Sequence, residues 1–342
     1  MNAFAKLFLL RLALCIGLHA CAFGFVRAHS SVPLRIINGS ILVAPVLING
    51  QGPFDFVVDT GTNTTLMDPS LAQKLALPPA GRKLLATLTG STVVTRYFLN
   101  SIVIDNAEIN HVEALGQDLF ALRQLDSRIQ GILGFDLLRR FSFRIDNANR
   151  RLDLYPADEP PTFTFGVCVP VTIAQDRILV AVATEAAPHG FWNLALDSGV
   201  SRVLAFDDRF RALDSAQNAP QQNPAHNPSQ FNSFAPTTRV TTNASGSLGS
   251  VVKLDCLTIG KIRLRDQLVV ILHSEMSASG SGEDGLLPTA LFRAVLFNRK
   301  TSTLVFDPDE NPSASARCAV VGHSTRTSCS TVPGVPERVS YS

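Results

Sequence analysis

The sequence predicts an all-β fold of two homologous lobes with a few short helices. Two observations predict it: strand-like runs dominate the chain, and the stretch after about residue 33 repeats itself. A length of 342 residues suits two domains of ordinary size. Hydrophobic residues make up 46% and charged residues 17%, so a large core can be built. With 30 basic and 28 acidic side chains the formal net charge is +2. That balance gives no electrostatic basis for a nucleic-acid or anionic-membrane partner.

The first copy opens with the extended stretch Ser40-Ile41-Leu42-Val43-Ala44 and reaches Phe54-Asp55-Phe56-Val57-Val58-Asp59-Thr60-Gly61. The second opens with Arg177-Ile178-Leu179-Val180-Ala181-Val182 and reaches Trp192-Asn193-Leu194-Ala195-Leu196-Asp197-Ser198-Gly199. In both, an apolar strand ends in Asp, a hydroxyl residue and Gly. The copies match again at Gly131-Ile132-Leu133-Gly134-Phe135-Asp136-Leu137-Leu138-Arg139 and Gly285-Leu286-Leu287-Pro288-Thr289-Ala290-Leu291-Phe292-Arg293. A hairpin tail follows each, Phe141 to Tyr155 and Val295 to Phe306. The second copy is longer between its motifs. The excess has a home in residues 215–236, whose Asn, Gln, Pro and Ser suit a solvated loop.

Boundaries follow from this register. Residues 33–157 form the first lobe, Asp158-Glu159-Pro160-Pro161 a linker, and residues 165–308 the second lobe. Residues 309–342 lose all periodicity and read as a disordered tail. Short helices are expected at Pro69 to Leu77, Phe135 to Arg140, Asp207 to Leu213 and Thr289 to Arg293.

Residues 1–28 read as an export signal. Lys6 and Arg11 precede an apolar run from Leu12 to Val26, and Val26-Arg27-Ala28 suits a cleavage site. The run falls short of the roughly 20 residues of a spanning helix. A secreted or periplasmic protein with no stable membrane span is therefore expected. Leu18-His19-Ala20-Cys21 offers lipid anchoring at Cys21 as an alternative. Four cysteines remain beyond the signal: Cys168, Cys256, Cys318 and Cys329. Export permits disulfides, and four cysteines allow three pairings. The short loop makes Cys318 with Cys329 the simplest pair, and four free thiols is the other reading. No Cys-x-x-Cys or His-rich spacing points to a metal, and no cofactor is expected.

Asp59 and Asp197 carry the chemistry. An apolar strand delivers each carboxylate to the edge of a dry interior, and the Gly lets the backbone turn there. One Asp-hydroxyl-Gly tripeptide is an ordinary turn. Two at equivalent points of a duplication would meet face to face across a two-fold axis. Two carboxylates held close cannot both ionise, so they share a proton; aspartic proteases are the standard example of such a dyad. One then acts as base on a water while the protonated partner polarises a scissile carbonyl. The substrate implied is a peptide or protein.

These motifs, Asp59-Thr60-Gly61-Thr62, Asp197-Ser198-Gly199, Ile132-Leu133-Gly134 and Leu286-Leu287-Pro288, resemble those of the pepsin-like and retropepsin-like aspartic peptidases. The chain looks most like bacterial proteins with two retropepsin-type domains in one chain. The resemblance spans nearly all of residues 33–308. It implies two β-barrel lobes and aspartic-type endopeptidase activity with Asp59 and Asp197 catalytic. It also implies hydroxyls of Thr60 and Ser198 that interlock across the lobes, and an Ile132 to Gly134 segment packed behind the loop. Because one chain supplies both Asp residues, a monomer is expected.

The sequence departs from the family's pattern at three points. Val200 stands where Thr62 stands in the first copy, Pro288 replaces a Gly, and no Tyr precedes a flap Gly. Thr62 can hydrogen-bond the charged form of Asp59, whereas Val200 offers Asp197 nothing, so Asp197 is the expected holder of the shared proton. The flap candidate is the hairpin Leu84 to Phe98, turning at Thr89-Gly90-Ser91. A non-catalytic peptide-binding protein of the same fold is the alternative function. Arg139, Arg140, Arg144, Arg150 and Arg151 read as solvated strand faces. Ser245 to Gly249 reads as a hairpin turn and Asp136 as a structural cap.

Overall fold

A computed structural model describes residues 29–87, 90–157, 159, 166–187, 189–206, 238–241, 246–272 and 282–308. The expected signal segment, Thr89, the helix expected at residues 207–213, the 215–236 stretch, Cys318, Cys329 and the expected tail lie outside the described residues. The first half holds β1 (Ser30–Pro33), β2 (Arg35–Ile37), β3 (Ile41–Ile48), β4 (Gln51–Val58), β5 (Leu66–Met67) and β6 (Arg82–Thr87). It continues with β7 (Gly90–Ile104), β8 (Ala107–Gly116), β9 (Ile129–Leu133), β10 (Ser142–Asp146) and β11 (Arg151–Tyr155). The second half holds β12 (Val167–Pro170), β13 (Thr172–Ala174), β14 (Arg177–Ala183), β15 (Phe191–Asp197), β16 (Val203–Phe206) and β17 (Thr238–Thr241). It ends with β18 (Gly246–Ile259), β19 (Ile262–Leu272), β20 (Gly285–Pro288), β21 (Phe292–Asn298) and β22 (Thr303–Pro308).

The fold is all-β and bilobal. In the first lobe β3, β4, β9, β5, β8 and β7 pair in that order, and β7 returns to β3, closing a barrel. In the second lobe β14, β15, β20, β16, β19 and β18 do the same, and β18 returns to β14. The parallel pairings also correspond: β4 with β9 matches β15 with β20, and β5 with β8 matches β16 with β19. Closure buries the apolar face of each strand and leaves no free edge within the ring.

The hairpin tails do not stay within their own lobes. They build one six-stranded sheet in the order β1-β11-β10-β21-β22-β12. Its central pairing, β10 with β21, joins the two copies, with Phe143 opposite Phe297. Phe135, Phe143 and Phe297 stack beneath it with ring centroids 5.4–6.5 Å apart. Aromatic pairing on this scale adds to the burial energy and fastens one lobe to the other.

Several elements end earlier than the sequence suggests. The first helix stops at Lys74 because Ala76 adopts a left-handed φ of 50°. The second covers Phe135–Leu138, with Arg139 as its C-cap. The helix expected at Thr289 to Arg293 is a single 3-10 turn, Thr289–Leu291. It has no side-chain cap, and Phe292 enters β21 and the core instead. The Gly246–Gly249 run is not a turn; it lies in β18, paired with Thr238–Thr241. Extended backbone costs Gly no steric strain, so the ladder simply continues through it. Cys168 and Cys256 are both disulfide-bonded, which removes the free-thiol reading for these two.

Candidate active site

Asp59 and Asp197 end β4 and β15 at equivalent points, and both are buried. Ladder bonds fix each strand against its parallel neighbour. Val58 stands opposite Leu133, and the Asp59 N–H donates to the Leu133 carbonyl at 3.0 Å. Leu196 stands opposite Leu287 in the same way.

The two loops interlock with two-fold symmetry. The Thr60 N–H donates to Ser198 Oγ at 3.0 Å, and the Ser198 N–H donates to Thr60 Oγ1 at 3.0 Å. Each hydroxyl then donates across the interface: Thr60 Oγ1 to the Leu196 carbonyl at 2.9 Å, Ser198 Oγ to the Val58 carbonyl at 2.8 Å. All four residues are essentially without solvent contact, so no water competes for these bonds. The interlock expected from the resemblance is present, residue for residue.

This clasp brings the carboxyls together, and they hydrogen-bond one another. Asp59 is well supplied with donors. Its Oδ1 accepts from the Gly61 N–H at 2.9 Å and the Thr62 N–H at 3.2 Å, and its Oδ2 from Thr62 Oγ1 at 2.9 Å. Asp197 Oδ1 accepts from the Gly199 N–H at 2.6 Å. Burial, and then the neighbouring Asp59 charge, hold the Asp197 carboxyl well above the usual carboxylate range. That direction agrees with the expectation, drawn from the Thr62/Val200 difference, that Asp197 holds the shared proton. Gly61 is required by space: a Cβ there would lie 2.3 Å from the Asp197 carboxyl carbon.

Two of the sequence departures have local explanations. Val200 is buried among Leu179, Ala195, Leu204 and Leu286, so it fills core where the first lobe has a half-buried Thr62. Pro288 matches Gly134, and their backbones are close: φ −66° and −80°. Pro lacks an N–H, which would matter only if an acceptor waited for it. The Gly134 N–H points at Thr65 Oγ1 at 3.4 Å, but the residue equivalent to Thr65 is the apolar Val203. Thr65 also donates to Asp136 Oδ1 at 2.9 Å, and the second lobe replaces Asp136 by Ala290. One lobe thus uses a polar pair where the other uses an apolar one. Asp136 stands behind the loop in a structural setting, and burial raises its carboxyl pKa.

Gly90 and Ser91 open β7, opposite Thr87 and Ala86, so both belong to the paired arms of this hairpin and not to its turn. Leu85 and Val94 anchor the hairpin in the core, while the cross-strand pair Leu84 and Val93 is exposed. A cavity of about 970 Å³ is lined by Asn63, Thr64, Leu84, Ala86, Ile173 and Arg177 among others, and neither Asp59 nor Asp197 is among its lining residues. Among the described residues no group of His, Cys, Asp and Glu could hold a metal, and no helix is long and apolar enough to cross a membrane. Nothing in the sequence singles out Arg177 or Glu283. The one available signal is that Arg177 opens an apolar strand, where β3 of the first copy opens on Ile41.

Removing the Thr62 hydroxyl tests the asymmetry. Thr62→Val is expected to move the acid limb of a pH–activity profile upward by about half a pH unit, because the pair's monoanion loses one donor. An unmoved profile would show that this hydroxyl does not bias the proton.

Two buried carboxyls on interlocked hydroxyl-Gly loops, at the junction of two like barrels, define the aspartic peptidase class of fold. Residues 44–137 match the profile of a family described as aspartyl protease. The matched segment covers most of the first lobe, and the second lobe repeats that lobe's topology. Among solved structures, the chain is similar to a retropepsin-like aspartic protease from Rickettsia conorii, at 28% identity over 37% of this chain and 91% of that one, TM-score 0.28. It is also similar to Basic 7S globulin from soybean, at 11% identity over 82% and 94%, TM-score 0.47. A third similar structure is an aspartic proteinase from Irpex lacteus, at 14% identity over 84% and 99%, TM-score 0.46. No curated protein matches the sequence.

Proposed function

We propose that this protein is an aspartic endopeptidase in which Asp59 and Asp197 act as one dyad. One observation carries the reading: the reciprocal Thr60 and Ser198 hydrogen bonds hold two buried, mutually hydrogen-bonded carboxyls at the lobe junction. In the proposed reaction Asp59, as carboxylate, takes a proton from water as that water attacks the peptide carbonyl. Asp197, protonated, donates to the carbonyl oxygen and stabilises the developing charge. The proton then passes to the leaving amine, with no covalent intermediate.

Export belongs to the same proposal. Disulfide-bonded Cys168 and Cys256 support an oxidising compartment, secreted or periplasmic. The dyad is complete within one chain, which supports a monomeric enzyme.

The test is a diverse peptide library incubated with the protein from about pH 3 to 8, alongside Asp59→Ala and Asp197→Ala. Cleavage by the parent and by neither variant is the expected result. Binding of peptides without cleavage at any pH would favour a peptide-binding protein of the same fold. Loss of cleavage in only one variant would break the single-dyad geometry.

A further inference from the structure

We infer that Arg177, held by the buried Glu283, is a positioning residue that supports the dyad from the opposite lobe; the inference rests on the peptidase reading above. Arg177 stands at the start of β14, directly after the two-residue turn Gln175-Asp176, whose φ values are 45° and 57°. Paired positive φ values of this kind make a tight hairpin and leave little slack in where Arg177 starts. Its Nη1 crosses the lobe interface and donates to the Gly61 carbonyl at 2.8 Å. Its Nε faces Glu283 Oε2 at 3.3 Å, and that carboxylate is almost wholly buried.

The target of this bond gives it its meaning. The Gly61 carbonyl and the Thr62 N–H belong to one peptide group. The carbonyl end receives Arg177, and the N–H end donates to Asp59 Oδ1. A cation on the carbonyl polarises that peptide and strengthens its N–H as a donor. It also fixes the plane of a peptide whose Gly61 Cα leaves no room for a side chain against the Asp197 carboxyl. The charge itself acts on the pair as well, drawing the Asp197 pKa down against the larger effects of burial and Asp59. Arg177 therefore favours the singly ionised dyad by two routes, one through a hydrogen-bonded peptide and one through the field.

The device is one-sided. By ladder register the residue equivalent to Arg177 is Ile41, and the residue equivalent to Glu283 is Ile129, so the first lobe does not return the favour. Other charged groups share the cavity with Arg177: Asp176 pairs with Arg139, Glu113 with Lys83, Asp136 accepts from Thr65, and Arg140 and Arg299 donate to backbone carbonyls. Glu283 aligns the guanidinium so that one nitrogen is left for Gly61. Lysine has no such fork and cannot serve both partners with the same geometry.

The experiment compares Arg177→Lys and the double variant Arg177→Met/Glu283→Gln with the parent. The double variant avoids leaving a buried carboxylate unpaired. Two readouts are used: the pH dependence of kcat/KM, and the titration of the dyad carboxyls followed by carbon-13 NMR, which needs no turnover. In the double variant the NMR titration, and both limbs of the activity profile, are expected to move up by roughly 0.5–1 pH unit. Its kcat/KM is expected to fall about tenfold. Arg177→Lys keeps the charge but not the fork, so its titration is expected to move less than that of the double variant, while kcat/KM stays reduced. An active parent with unmoved titrations in the folded double variant overturns the inference and leaves the peptidase reading standing. An inactive parent overturns the peptidase reading, and the NMR titration still decides the role of Arg177. Should the double variant fail to fold, equal kcat/KM in Arg177→Lys and the parent overturns the inference.

Discussion

Asparagine at either dyad position is expected to lower kcat by at least about 10³–10⁴-fold with the fold retained. The two losses have different causes. In Asp59→Asn the amide cannot accept the proton of the attacking water. In Asp197→Asn the amide cannot pass a proton to the carbonyl oxygen. Cleavage that survives in either variant would remove the dyad from the mechanism.

Stability should move the other way in Asp197→Asn, with a definite pH dependence. The Asp197 pKa is raised in the folded protein by burial and by Asp59. Its unfolded value is about 3.9. Below that pH the group is neutral in both states and costs nothing. As pH rises past it, the unfolded chain releases its proton first, so stability falls toward the folded-state pKa. The amide removes this penalty. Urea melts should therefore show Asp197→Asn more stable than the parent at about pH 7, with the gap closing toward about pH 3. A gap that widens on acidification would contradict the raised pKa.

The second large effect falls on the interlock. Ser198→Ala leaves the Thr60 N–H without its acceptor and the Val58 carbonyl without its donor. Thr60→Val does the same to the Ser198 N–H and the Leu196 carbonyl. Thr60 and Val58 are both fully buried, so water cannot enter to replace the lost partner. Each orphaned buried group costs about 1–3 kcal/mol, and two are orphaned, which places either variant roughly 2–6 kcal/mol below the parent. Activity should fall too, because the dyad spacing depends on these bonds. Thr60→Ser keeps the hydroxyl and should stay within about 1 kcal/mol, losing only a methyl group. Urea melts of the three variants decide the matter; a Ser198→Ala protein as stable as Thr60→Ser would show that the interlock is not a structural joint.

Much of this site was legible in the chain. Asp59 and Asp197 stood out because a duplicated pattern makes two weak tripeptides into equivalent points, and parallel strand pairing at Leu133 and Leu287 maps them onto each other. The Thr62/Val200 difference was legible too, since a missing hydroxyl can be read from one letter, and Thr62 does donate to Asp59. The helix at Thr289 was overcounted for a related reason: its residues copy Phe135–Leu138 in pattern, but Phe292 is drawn into the shared sheet. That sheet could not be read locally, because β10 and β21 lie about 150 residues apart and their contact is decided by how the lobes face one another.

The sequence by itself determined the all-β class, the duplication, the two Asp strand ends and their inequality. Each is a matter of period, repeat or residue type, which local chemistry fixes. The tertiary structure decided the closure of the barrels, the sheet that joins them, and the Arg177 to Gly61 bond. Those depend on groups remote in the chain meeting in space. Arg177 shows why: its identity announces only a charge at a strand's start. Its partner, a carbonyl present in every residue, carries no signature in the sequence at all.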